Sequence, residues 1–221
     1  MNKVHIFHHV DNDGMVAGYW AYNYFSDVER VHEFGMHITL HPINYGWPFP
    51  FEEIEKDDIV VIVHYSLEDP DDMMKLLTEY TNRVIWIDHH ITSINKYNDF
   101  PFNIPGIRYS GIAACVLTWY YFKNINIDTF LRTGEGLGET ILIPSDKIPV
   151  EDMRKSIYSV CPTGTMHFAD NDIWEFENAN TKRFVAGAGA LSLSSDEDID
   201  RTQHYATKNI AREAAAHPKL Y

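Results

Sequence analysis

Ile59-Val60-Val61-Ile62-Val63 is an unbroken run of β-branched apolar residues. Such a run suits a strand with no polar face, and a strand buried on both sides belongs to a parallel sheet covered by helices. Arg83-Val84-Ile85-Trp86-Ile87 repeats the pattern. Around these two, Val4–His8 reads as a short strand and Gly14–Phe25 as a helix. His37–Asn44 reads as a strand that breaks at Tyr45-Gly46-Trp47-Pro48-Phe49-Pro50, and Pro70 opens a helix reaching about Tyr80. The βαβ rhythm predicts an α/β fold, a parallel sheet flanked by helices with a helical C-terminal part.

Ser110 is expected to cap a helix over 111–122. Further helices are expected over 149–158, 181–191 and 198–215, and a surface loop over 133–138. The pattern weakens between 124 and 148. The expected division is an α/β core over 1–123 and an irregular, then helical, part over 124–221, or one continuous domain.

Composition narrows the function classes. Hydrophobic residues make up 45% of the chain, too many for a disordered one. No apolar run approaches the ~20 residues that span a bilayer. The N-terminus lacks the apolar core of a secretory signal, so a cytoplasmic protein without a membrane partner is expected. The two cysteines, Cys115 and Cys161, form no CxxC pair. The 18 Lys+Arg against 32 Asp+Glu leave a formal charge of -14, which argues against a grip on long duplex nucleic acid. A small nucleotide remains open to it, because divalent cations make a carboxylate site locally positive.

The twelve histidines matter by their placement. His8-His9-Val10-Asp11-Asn12-Asp13-Gly14 follows the first predicted strand, His64-Tyr65-Ser66 the third and Asp88-His89-His90 the fourth. In an open parallel sheet all strand carboxyl ends lie on one edge, where ligands bind. Three remote segments would therefore deliver imidazoles and carboxylates to one place. His9, Asp11 and Asp13, alternating in an extended segment, would project to one side. That donor mixture suits Mn²⁺, Fe²⁺ or Zn²⁺. His37 and His41, with no carboxylate beside them, are expected to be structural.

These residues resemble a known family. His9-Val10-Asp11-Asn12-Asp13-Gly14 is similar to the first motif of the DHH phosphoesterases, and Asp88-His89-His90 to the triplet that names them. Ser110-Gly111-Ile112-Ala113-Ala114 resembles the helix after the triplet. Asp170-Asn171-Asp172-Ile173-Trp174 resembles the fourth motif of the nanoRNase-like branch.

The resemblance implies a dinuclear site, usually Mn²⁺ (with Mg²⁺, Fe²⁺ or Zn²⁺ as alternatives), that hydrolyses phosphodiester or phosphoanhydride bonds. His9 and Asp11 would hold one ion. Asp13, His89 and Asp172 would hold the other, with Asp170 as the alternative register. His90 would contact the substrate phosphate and Asp88 would orient the histidines. The nearest basic candidates for substrate contact are Lys182 and Arg183. Trp174 is expected in the core, or stacked on a base if exposed at the cleft.

Two departures stand out. The family's second motif carries a bridging Asp where this chain has His64, in Val63-His64-Tyr65-Ser66. A neutral imidazole offers one lone pair, so His64 is expected to ligate one ion and to weaken or move the second. Glu68 or Asp69 could replace the missing carboxylate if the loop folded back. The Gly-rich, His-containing substrate motif of a further domain is also missing after Asp172, leaving the cleft open or capped by other parts of the chain or a second subunit.

The expected function is a phosphohydrolase or phosphodiesterase for a short single-stranded oligonucleotide or a cyclic or linear dinucleotide. A nucleotide-binding module without turnover is the alternative.

Overall fold

The computed structural model describes residues 3–26, 35–125, 149–174 and 180–192, the last six by backbone alone. The expected loop over 133–138 and helix over 198–215 lie outside the described residues, as does most of the soft boundary at 124–148.

Strands β1 (Lys3–His9), β2 (His37–Ile43), β3 (Ile59–Val63) and β4 (Val84–Ile87) form one sheet in the order β2-β1-β3-β4, every neighbouring pair parallel. The chain leaves β1 for β2 on one side and returns for β3 on the other. The carboxyl ends of β1 and β3 therefore flank a topological switch point, where parallel sheets open a crevice.

Helices cover both faces. Val4 and Ile6 of β1, Ile59, Val61 and Val63 of β3, and Ile85 and Ile87 of β4 face α1 (Asn12–Phe25) and α4 (Ala114–Asn124). Met153 and Ile157 of α5 (Val150–Tyr158) and Phe168 and Ala169 of α6 (Thr163–Asp172) join this same core. Phe7, Val60, Ile62, Val84 and Trp86 point the other way. They pack on Met73 of α2 (Pro70–Lys75), Leu76 in the wider turns of Leu76–Tyr80, and Tyr65, Leu67 and Tyr97. Every residue of β3 is buried, as its composition requires. Helices α3 (Ile91–Lys96) and α7 (Thr181–Ser192) complete the described set, and among the described residues no helix is long and apolar enough to cross a membrane.

Two local expectations are corrected. The helix expected at Gly111 begins at Ala114, because Gly111 holds φ 98°, outside helical space. Ser110 does not cap it. The N-cap residue, Ala113, has no side-chain acceptor, and the task passes to Asp13, whose two oxygens accept the N–H groups of Ala114 (2.9 Å) and Cys115 (2.8 Å). Helix α6 was not expected as such: its buried face includes Gly164, Thr165, His167 and Asp170, too polar to show a helical stripe.

Candidate metal centre

The sheet register positions the site. His8 lies level with Val63, and Val63 with Ile87, so the next residues, His9, His64 and Asp88, stand in one row across β1, β3 and β4. Asn44 follows the end of β2 beside them.

The first segment does not reach the site as an alternating strand, which corrects the expected projection of His9, Asp11 and Asp13. Strand β1 ends at His9, Asp11 is the N-cap of α1, and Asp13 lies in the first turn. The strand-to-helix turn brings the three together. Asp11 Oδ1 accepts the Gly14 N–H at 2.8 Å. Gly14 is obligatory here, since a Cβ would stand 2.3 Å from the His9 carbonyl oxygen.

His64 belongs to each of the three donor groups among the described residues: it meets His89 and His90 in one, and the two others contain carboxylates. Of these two, one comprises His9, Asp11 and His64; the other Asp13, His64, His89 and Asp172, each with potential ligand atoms within 4.8 Å of one another. These are the two sets expected from the motifs, joined through the residue that departs from them. His64 Nδ1 lies 3.0 Å from Asp11 Oδ1, and its Nε2 lies 3.4 Å from Asp13 Oδ2. His89 Nε2 lies 3.3 Å from Asp172 Oδ2 and 3.7 Å from Asp13 Oδ2. Of the two expected alternatives, Asp172 is the carboxylate that reaches the site, not Asp170. Asp170 is buried under Thr181, whose hydroxyl donates to it at 2.5 Å.

Asp88 acts on the histidines from behind. Its Oδ1 accepts the backbone N–H of His89 (2.7 Å) and His90 (3.2 Å) and pairs with His90 Nδ1 at 2.8 Å. The His90 ring stacks on His64, centroids 4.7 Å apart and planes 19° apart, with Nε2 left as its free nitrogen for a ligand.

Electrostatics agree with a cation-seeking pocket. His64 is only 1% exposed, and burial alone would depress its basicity. Asp13, Asp11 and Asp172 outweigh that and raise its pKa to about 10. Burial, reinforced by Asp13, lifts Asp172 to about 7. His89 is lowered by burial. Asp11 is held well below the carboxylate range, the hydrogen bonds from His64 and His9 overcoming its burial. His64 Nε2 and His89 Nε2 are buried without a hydrogen-bond partner. Orphaned imidazole nitrogens aimed at two carboxylates form a donor set that fits a divalent ion.

His64 also sits at φ 51°, in the left-handed region that costs an L-residue roughly 1–2 kcal/mol. Strain of this kind gathers at functional sites.

Other expected residues fall elsewhere. Glu68 accepts from the Gly46 N–H and Asp69 caps α2, so neither supplies the missing carboxylate. Trp174 is not in the core: it is 79% exposed at φ 59°, just beyond Asp172. Lys182 and Arg183 lie exposed on the first turn of α7. His8 is buried and bonded to the His9 carbonyl, and His5 links His41 to Asp58 through contacts of 2.9 and 3.2 Å. Asn44 was missed. Its Oδ1 accepts the Tyr45 N–H at 2.9 Å and faces His9 Nε2 at 3.0 Å. The available signal was its place at the end of a strand beside the other three.

No protein-family model matches this chain, and neither does any curated protein. Among solved structures, an uncharacterized protein from Helicobacter pylori G27 is similar, with a TM-score of 0.56 at 14% sequence identity over 97% of this chain. That likeness is one of fold, and this chain spans 57% of the other's length.

Proposed function

We infer that the chain is a cytoplasmic, divalent-metal-dependent phosphohydrolase of the DHH type. Its substrate is a small nucleotide ester, a short single-stranded oligonucleotide or a cyclic or linear dinucleotide. The observation that carries this reading is the meeting of Asp13, His64, His89 and Asp172 at the switch point, with two imidazole nitrogens buried and unpartnered. Mn²⁺ is the leading candidate ion. When bound, a divalent ion there supplies positive charge for phosphoryl oxygens and acidifies water.

The chain's own residues do the rest. Asp13 is fixed by two backbone N–H groups and cannot swing away. Asp88 holds the His90 ring, whose Nε2 is the group for a non-bridging phosphate oxygen. Lys182 and Arg183 are the cationic side chains nearest in sequence to Asp172 for the rest of an anionic substrate. Trp174, exposed next to Asp172, offers a face on which a base can stack.

The test is incubation of the chain and of His64→Asp with Mn²⁺ and short RNA or dinucleotides. Release of mononucleotide or phosphate, abolished by chelation, is expected. If neither protein releases product from any of them, the enzymatic reading is lost. One observation favours the alternative of binding without turnover: a histidine, not a carboxylate, stands between the two donor groups. Nucleotide-dependent thermal stabilisation without product, in both proteins, would decide for it.

A further inference from the structure

We propose that His64 makes this a one-ion centre, seating a single divalent cation among Asp13, His64, His89 and Asp172 and closing the neighbouring group. This deepens the metal-dependent reading above and rests on it.

The two groups differ in what their atoms already do. In the His9–Asp11–His64 group every ligand atom is engaged. His9 Nδ1 pairs with Asp11 Oδ2 at 2.7 Å. His9 Nε2 faces Asn44 Oδ1, an atom identified as an oxygen because the Tyr45 N–H donates to it. Both His9 nitrogens therefore face acceptor oxygens, and neither points to an open ligand position. Asp11 Oδ1 takes the Gly14 N–H and His64 Nδ1. An ion entering here must break several of these bonds.

In the other group both Asp13 oxygens accept backbone N–H groups, but the imidazole nitrogens are not engaged. His64 Nε2 and His89 Nε2 are buried and without hydrogen-bond partners, between the carboxylates of Asp13 and Asp172. Those two carboxylates balance the charge of one divalent ion. The Asp11 contact also settles how His64 is presented. With Nδ1 donating to Asp11, Nε2 is the nitrogen that points to the second group, and it coordinates an ion once its proton is displaced. Carboxylate behind imidazole is the usual way a protein orients a histidine ligand. Asp11 is thus a positioning residue for His64 rather than a ligand.

A carboxylate at position 64 would behave differently. It donates no proton to Asp11 and has two oxygens to share between ions.

The experiment titrates the metal-stripped full chain with MnCl₂, following stoichiometry by calorimetry and the bound ion by electron paramagnetic resonance. One Mn²⁺ per chain with the spectrum of an isolated ion is expected. Asp172→Ala should weaken binding roughly tenfold or more, whereas His9→Ala should leave it within about threefold. His64→Asp should bind two ions that are magnetically coupled. Two coupled ions in the unaltered chain, no ion at all, or retention in Asp172→Ala with loss in His9→Ala overturns the proposal. So does a folded His64→Asp that still takes one ion. The two readings fail separately: one ion without hydrolysis removes the phosphohydrolase and leaves this inference, and two ions with hydrolysis does the opposite.

Discussion

Asp13 accepts the backbone N–H of Ala114 across 101 residues of sequence, at 2.9 Å, and so ties the candidate metal centre to the start of α4. Its second oxygen takes Cys115 N–H at 2.8 Å. One carboxylate both caps a helix and faces two imidazoles, so the same charge that stabilises the helix N-terminus is aimed at the site.

This double duty separates Asp13 from Asp172. In chelator, Asp13→Ala is expected to lower the unfolding free energy by about 1–3 kcal/mol, because the cap and two buried donors lose their acceptor. Asp172→Ala in the same buffer at neutral pH should cost nothing or stabilise, since it removes a carboxylate crowded by burial and by Asp13. Urea denaturation of both variants measures this, and equal losses would mean that Asp13 is not acting as a cap.

The charge on Asp172 should be visible in the pH dependence of stability. Burial first, and then Asp13, raise its folded pKa to about 7, against ~3.9 in an unfolded chain. Between these values the folded protein holds a proton that the unfolded one has released. The contribution is therefore fully present below pH ~4 and is lost as pH rises through about 7. Metal-free Asp172→Asn lacks this dependence, so its advantage over the unaltered chain should grow from pH 4.5 to 7 and level off above. A difference that does not change with pH contradicts the assignment.

Gly18 and His8 form a packed pair beneath the site. A Cβ at Gly18 would meet His8 Cδ2 at 2.8 Å and Cγ at 2.9 Å, and the ring is held by its contact with the His9 carbonyl. Alanine in a helix interior ordinarily gains about 1 kcal/mol over glycine. Here the overlap wins, and Gly18→Ala should destabilise by about 1–3 kcal/mol. His8→Ala in that background should recover part of the loss, with a coupling of about 1 kcal/mol or more in a double-mutant cycle. Additive effects would show that the two do not touch.

The backbone at His64 should reverse an ordinary ranking. At φ 51° a side chain is strained and glycine is not. Metal-free His64→Gly is expected to be more stable than His64→Ala by about 1 kcal/mol, both having lost the imidazole. Thermal unfolding of the pair reads this directly, and the opposite order would place position 64 outside the left-handed region.

The parallel sheet was legible because its evidence is local: Ile59–Val63 and Val84–Ile87 carry no polar face, and all of their residues are buried. The participants of the site were legible for a related reason, since His9 closes β1 and His64 and Asp88 directly follow β3 and β4. Helix α6 was not, because its buried face is partly polar and it packs against α7 and, from distant parts of the sequence, α1 and α4. Trp174 was misplaced for the converse reason: an aromatic side chain looks like core until the backbone, here at φ 59°, turns it out. Ser110 failed as a cap because a sequence shows only nearby acceptors, and the acceptor in use is Asp13.

The sequence by itself determined the layers of this protein and the row of imidazoles and carboxylates at one sheet edge, because strand burial and strand ends follow from neighbouring residues alone. Only the tertiary structure decided how those groups divide. Whether a nitrogen is engaged or orphaned depends on what comes within about 3 Å of it, and Asp11, Asn44, Asp13 and Asp172 reach His9, His64 and His89 from separate elements.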